Sequence, residues 1–398
     1  MPVPERRGRE VRHATARVLL RVQLALLLLA VMLAPGPTRA STRYSTLVGG
    51  ESWWHPERGG HGLVMVAADR EGLPRRGSVG VEFHTDTLRL LARGFQFLDG
   101  RLELGGAIEG EAYYAGLLPD FYRNGELLEG RGFWASYAAA HVSAKLNLPG
   151  HHHPELTLGV RQWWFARRDR TSPSLELPPD TAVLEARLRY TWWRLAHDSA
   201  WTERHRSYPR LLGFAVGAGM GLDLRDRARP WGSRDAASFA SIDTRNEPKT
   251  AVLTVRQWLR AGRQLSPGWR LQLLQAAAWG RGEDDLTRVR LGGMNPYVVP
   301  LAGAPWAAWL SDRAVAASLS LHAPLFGETE IGWAADAAVV DDEGRTGKGA
   351  SAWLGGYSVF LDGRPGRTQL DARVGWTPSL GSGSGQVAAY AAVGYQWE

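Results

Sequence analysis

The chain has 398 residues, no cysteine and a formal net charge of +7. The lack of thiols excludes a disulfide framework and thiol-ligated zinc or iron–sulfur centres. Residues 1–40 carry seven arginines and two glutamates, hence +5 of that charge, so the basic balance is no sign of a nucleic-acid partner.

Taken in chain order, the first element is an export signal. Arg6, Arg7, Arg9, Arg12, Arg17 and Arg21 precede an apolar run from Val22 to Ala34. Pro35, Gly36 and Pro37 then break any helix, and Thr38 and Ala40 supply the small residues read at a cleavage site. The run is shorter than the roughly 20 residues of a spanning helix. Residues 1–40 are therefore expected to be a signal peptide, with residues 41–398 as the mature domain. No later stretch is long and apolar enough for a membrane helix.

The remainder holds most of the 18 tryptophans and 47 glycines of the chain, and its hydropathy alternates with period two. Leu102, Leu104, Ile108 and Ala112 oppose Arg101, Glu103, Glu109 and Glu111. Leu184, Ala186, Leu188, Tyr190 and Trp192 oppose Glu185, Arg187, Arg189 and Thr191. Val315, Ala317, Leu319 and Leu321 oppose Ser318, Ser320 and His322. Leu370, Ala372, Val374 and Trp376 oppose Gln369, Asp371 and Arg373. Strands this long, charged on one face and apolar with terminal aromatics on the other, fit a closed membrane barrel better than a soluble sandwich.

Strands are expected near 43–50, 61–69, 78–85, 87–97, 100–114, 131–147, 154–168, 180–195, 210–224, 249–264, 267–281, 310–323, 328–340, 349–361, 366–376 and 386–397. The fold class is all-β: a transmembrane antiparallel β-barrel of 16 strands, within a range of 14–16. The first segment is ambiguous between a barrel strand and a plug or periplasmic segment. Glu103, Glu109, Glu111, Glu185, Arg187, Arg189, Arg256, Arg260, Asp336, Asp371 and Arg373 are expected to face the lumen. There they either neutralise one another or line a channel. Short turns are expected at Ser266 to Gly268, at Gly327 and at Gly363 to Gly366. The stretches 115–130, 169–179, 196–209, 225–248 and 282–309 are long, and long connections belong on the outer side.

One of these long stretches carries a family resemblance. Arg290, Leu291, Gly292, Gly293, Met294, Asn295, Pro296 and Tyr297 run on to Pro300, Leu301, Ala302 and Gly303. Asp312, Arg313 and a strand ending at Ala323, Pro324 and Leu325 follow. The segment resembles the bacterial surface antigen family, barrels of the superfamily that assembles outer-membrane proteins and secretes partner proteins. The resemblance implies a long sixth outer loop, five strands after it, and a role in moving or inserting protein or lipid. Where that family carries an Arg-Gly-aromatic motif reaching into the lumen, this chain reads Tyr297, Val298, Val299, Pro300. The locking arginine is missing, and Arg290 and Arg313 are its nearest substitutes. Alternation begins so early that little room remains for periplasmic domains before the barrel.

The terminal segment places Val387, Ala389, Ala391, Val393, Tyr395 and Trp397 on one face, and Tyr395 with Trp397 resembles a barrel-insertion signal. The expected partners are outer-membrane lipid, the barrel assembly machinery during insertion, and an unidentified protein or lipid substrate. No cofactor or metal is implied, and His151, His152 and His153 read as a polar turn. Arg161-Gln162-Trp163 and Arg256-Gln257-Trp258 echo one another without an evident function. His141 with Ser143, and His322 with Ser320, pair a base with a hydroxyl but lack a nucleophile motif. A transport barrel that is not an enzyme is the leading expectation. A passive porin-like channel and a barrel enzyme acting on lipid are the alternatives.

Overall fold

The computed structural model describes residues 43–55, 59–84, 87–112, 122–123, 126–127, 133–168, 171–196, 212–233, 247–284, 286–292, 301–304, 309–341, 351–363, 367–378 and 386–397. The expected signal peptide lies outside them. Sixteen antiparallel strands close into one barrel. They are β1 (Arg43–His55), β2 (Gly59–Glu71), β3 (Ser78–His84), β4 (Thr87–Phe97), β5 (Leu102–Ala112), β6 (Trp134–Leu146), β7 (His152–Ala166) and β8 (Thr181–Ala196). They continue as β9 (Leu212–Arg225), β10 (Ala251–Ser266), β11 (Trp269–Arg281), β12 (Arg313–Phe326), β13 (Thr329–Asp341), β14 (Ser351–Gly363), β15 (Thr368–Thr377) and β16 (Gln386–Trp397). Each strand pairs with its sequence neighbours, and five strands follow the long connection after β11.

The first segment is a barrel strand, not a plug. β1 pairs with β16 from Tyr44 opposite Trp397 to Trp54 opposite Val387. A closed ladder leaves no open edge, the condition for crossing hydrocarbon with strands.

Side-chain alternation sets the two faces. On β13, Ala334, Asp336, Ala338 and Val340 are buried inward while Trp333 is exposed outward. Leu184, Leu188 and Tyr190 on β8, and Val387, Val393 and Tyr395 on β16, are likewise exposed, whereas Glu185, Ala388, Tyr390 and Ala392 are buried. The outer face is thus almost wholly apolar, while the inner face mixes charged and polar side chains with apolar ones, many of them small.

The short turns after β4, β6, β10, β12 and β14 share one rim with both ends of the ladder. Gly268, in the turn after β10, has φ +79, and a Cβ there would lie 2.7 Å from Pro324 Cγ. Only glycine suits that turn. The opposite rim carries the long connections and three small ribbons. These pair Leu175–Glu176 with Gly232–Ser233, Val289–Leu291 with Trp309–Ser311, and Tyr122–Arg123 with Glu126–Leu127. One long connection breaks the length rule: the ends it joins, Ala196 of β8 and Leu212 of β9, lie on the short-turn rim, because strand direction and not loop length fixes the side.

Candidate functional site: the barrel lumen

The inner wall carries a chain of alternating charges. Glu109 of β5 accepts from Arg89 of β4 at 2.8 Å and from Arg161 of β7 at 3.2 Å. Arg161 reaches Glu185 of β8 at 2.9 Å, and Glu185 also meets His141 of β6 at 2.8 Å. The Arg161 guanidinium stands 4.3 Å from the centre of the Tyr137 ring. Five consecutive strands, β4 to β8, are thereby tied together through side chains as well as backbone. Glu111 is buried next to this chain, in register with Tyr137. Towards the short-turn rim, Glu103 pairs with Lys145 at 2.6 Å and Arg189 with Glu155 at 2.6 Å. Arg187 pairs with Asp223, Arg260 stands 5.3 Å from the Trp258 ring, and buried Asp371 lies in register with Asp362.

On the opposite wall a piece of the long connection sits inside the barrel. Leu301, Ala302 and Ala304 are buried. The Ala302 N–H donates to Asp336 Oδ2 at 2.8 Å, and Arg373 of β15, itself fully buried, donates to the same oxygen at 3.0 Å. Space for this segment comes from glycines on the wall. A Cβ at Gly356 would lie 2.5 Å from the Ala302 carbonyl oxygen, and one at Gly375 would lie 2.8 Å from the Ala302 Cβ. Gly303 has φ +79, and a Cβ on it would come within 2.4 Å of the Thr377 nitrogen. Glycine is required there on both counts. Leu291, Leu301 and Ala304 pack with Ala314, Ala316, Ala338, Val340 and Leu354 of the wall.

The rest of the loop motif divides. Arg290 and Leu291 belong to the short ribbon, and Gly292 is buried with φ +114. Gly293, Asn295, Pro296 and Tyr297 lie outside the described residues. Arg313 is exposed at the start of β12, one residue out of phase with inward Ala314. The contact to Asp336 is made by a backbone amide, a group without a side-chain signature in sequence.

The connections also brace one another. Asp284, fully buried after β11, accepts from Arg225 of β9 at 2.8 and 3.0 Å and from Trp231 at 3.2 Å. Burial alone would raise its pKa, but the Arg225 guanidinium holds the carboxyl below the usual range. Close by, Glu283 has no hydrogen-bond partner for either carboxyl oxygen among the described residues. Burial pushes it up to about 8, with Asp312 adding to the rise and Arg288 and Arg256 opposing it.

Two histidine groups bear on catalysis and metals. His322 Nε2 lies 3.1 Å from Ser320 Oγ, and its Nδ1 lies 3.3 Å from Glu330. Those are nucleophile–base–orienter distances. The ring, however, also meets Gln272 at 2.6 Å, Arg270 at 3.1 Å and the edge of Phe360, and both Ser320 and His322 are buried. The cluster reads as a polar clasp between β11, β12 and β13. Around the turn after β6, His151 and His153 both lie against Trp193, while His152 faces Tyr190. His152 meets Tyr190 at 2.5 Å, His153 meets Asn147 at 2.9 Å, and His151 has φ 67.

Comparison with known proteins agrees with this architecture. No family model and no curated protein matches the chain. Among solved structures, BamA from Haemophilus ducreyi lacking POTRA domains 1–3 superposes with a TM-score of 0.58 at 14% identity, over 90% of this chain and 71% of that one. CdiB from Acinetobacter baumannii gives 0.57 at 11% identity, covering 89% of this chain and 60% of that chain. CdiB from Escherichia coli gives 0.57 at 11% over 89% and 63%. The chain thus spans less than two thirds of the CdiB chains. These likenesses concern the fold, and they fit the surface-antigen resemblance read from the residues around Gly292 and Gly303. The chain is an outer-membrane β-barrel with the fold of the BamA and CdiB barrels.

Proposed function

We propose that the chain is a surface-antigen-type barrel that moves or inserts protein or lipid at the outer membrane, and that it is not an enzyme. The observation that carries this reading is the Leu301–Ala304 segment seated in the lumen against Asp336. A passive pore gains nothing from a segment pinned by a buried ion pair, whereas a barrel that must stay shut between transport events does. The fold shared with BamA and CdiB supports the same reading. Residues 1–40 act as the export signal, and Tyr395 with Trp397 mark the terminal strand for the assembly machinery. The apolar outer face takes lipid.

Proteoliposomes carrying the chain are expected to speed the insertion of an unfolded reporter barrel over protein-free vesicles. Planar bilayers are expected to give small, fluctuating conductance that becomes large once residues 293–304 are deleted. A large, steady conductance from the intact chain, with no effect on reporter insertion, would establish the porin-like alternative instead.

A further inference from the structure

The Arg-Gln-Trp echo finds a place in a second region of the lumen. A cavity of about 210 Å³ lies beneath the long connections, bounded by β7, β8, β9 and β10. Arg161 and Arg256, the two arginines of the echo, both line it, and so does Trp163. Period-two alternation explains why: an arginine and a tryptophan two positions apart point to the same side of a strand.

Charge is unevenly matched around this space. Glu185 is committed to Arg161, Asp223 to Arg187, and Asp284 to Arg225. Arg256 makes neither a hydrogen bond nor an ion pair among the described residues, yet its side chain is open to water inside the barrel. Its titratable neighbours are Arg187, Glu283 and Asp223. Asp223 already serves Arg187, and burial pushes the Glu283 carboxyl up to about 8, away from its charged form. A guanidinium held beside a second guanidinium, without a carboxylate of its own, lacks a counter-anion. Its planar fork of donors matches the oxygens of a phosphate.

The other wall is flat and apolar. Trp163 stacks on Phe165 with the rings 5.9 Å apart and 8° from parallel, and Trp231 closes the top edge-on to Phe133. Aromatic faces beside a cationic fork suit a ring that carries an anionic group. Gly221 keeps the floor low: a Cβ there would meet Thr254 Oγ1 at 2.5 Å and the Arg187 side chain at 2.8 Å.

From this arrangement we infer that the cavity binds a small phosphorylated ring-bearing solute, of the sugar-phosphate class, with Arg256 as the principal phosphate ligand and Trp163 as the stacking surface. The site goes beyond the transport reading and does not depend on it.

Calorimetric titration of the folded, detergent-solubilised chain tests it, with glucose 6-phosphate, inorganic phosphate and glucose as probes. Glucose 6-phosphate is expected to bind saturably and more tightly than inorganic phosphate, and glucose is expected not to bind. Arg256→Gln is expected to weaken glucose 6-phosphate by about tenfold or more, the loss of one charge-assisted phosphate contact. The variant removes an unpaired charge, so heat-modifiable gel mobility is expected to be intact and verifies folding. Trp163→Leu is expected to weaken glucose 6-phosphate but not inorganic phosphate. Equal affinity of wild type and Arg256→Gln, or no saturable heat with any phosphate, overturns the assignment. Either result leaves the reporter-insertion assay free to succeed or fail on its own.

Discussion

Asp336→Ala is the sharpest perturbation of the lumen. It removes the acceptor shared by the Ala302 N–H and the Arg373 guanidinium. A hydrogen bond to a charged group contributes about 1.5–3 kcal/mol, and stranding one member of a buried ion pair costs about 3–5 kcal/mol. The strand ladder does not pass through either contact, so the barrel has an easier relaxation than unfolding. The Leu301–Ala304 segment leaves, and water reaches Arg373. Losing 2–3 kcal/mol of seating energy raises the unseated population by about 30- to 150-fold, at about 1.4 kcal/mol per tenfold. Ala304 is fully buried and the chain has no cysteine, so Ala304→Cys introduces a single reporter thiol. Its reaction with a bulky water-soluble maleimide is expected to be slow with Asp336 and faster by that factor with Asp336→Ala. A labelling rate unchanged in a variant that still shifts on heating would show that the carboxylate does not hold the segment, and the reasoning would fail.

Gly356→Val leaves every charge in place but sets a side chain where the Ala302 carbonyl sits, 2.5 Å from the new Cβ; the same thiol is expected to label faster. Leu188→Arg places a charge on the exposed outer face of β8. It is expected to cost about 2–4 kcal/mol in lipid, read from urea unfolding in vesicles. The inward neighbour Arg189→Leu breaks a water-exposed pair and is expected to cost less than about 1 kcal/mol. For Glu283 the folded chain binds the proton more tightly than the unfolded one. Its stabilising contribution is full below its ordinary value of 4.5 and is lost as pH rises through about 8. Relative to Glu283→Gln, the wild type is expected to lose stability between pH 7 and pH 9, measured by urea midpoints at each pH. Parallel midpoints across that range would refute the raised value.

The strands were legible because a membrane barrel writes its two environments into alternate positions. Leu184 to Trp192 against Glu185 to Thr191 gives β8 almost residue by residue, and the expected 180–195 meets an observed Thr181–Ala196. β1 was ambiguous because Val48, Gly49 and Gly50 alternate weakly. Only pairing with β16 settles its place, and a partner almost a full chain length away leaves no local trace. Length is a poor guide to the side of a connection where direction decides, as at the ends of β8 and β9, Ala196 and Leu212. The lumen contact at Ala302 was illegible for another reason. The family motif turns on an arginine side chain, whereas this contact is made by a main-chain amide that every non-proline residue carries. What sequence does hold of it is the room made by Gly303, Gly356 and Gly375. The cavity was half visible: the two Arg-Gln-Trp segments stood out, but that Arg161 of β7 and Arg256 of β10 border one space needed the barrel's curvature.

The register of β1 with β16 joins the first and last strands of the chain, Tyr44 beside Trp397. Every other ladder in the barrel links neighbours in sequence and can form as a hairpin. This one has to await the arrival of both ends, since contacts so distant in sequence form slowly. Until it forms, the sheet has two raw edges, each a row of unpaired N–H and C=O groups with no water in the hydrocarbon to receive them. The half-made barrel therefore favours any surface that lends it a strand. The terminal row of Val387, Val393 and Tyr395 then has a second meaning: it is the last edge left open, and a helper that borders on it waits only until Arg43–His55 comes round to take its place.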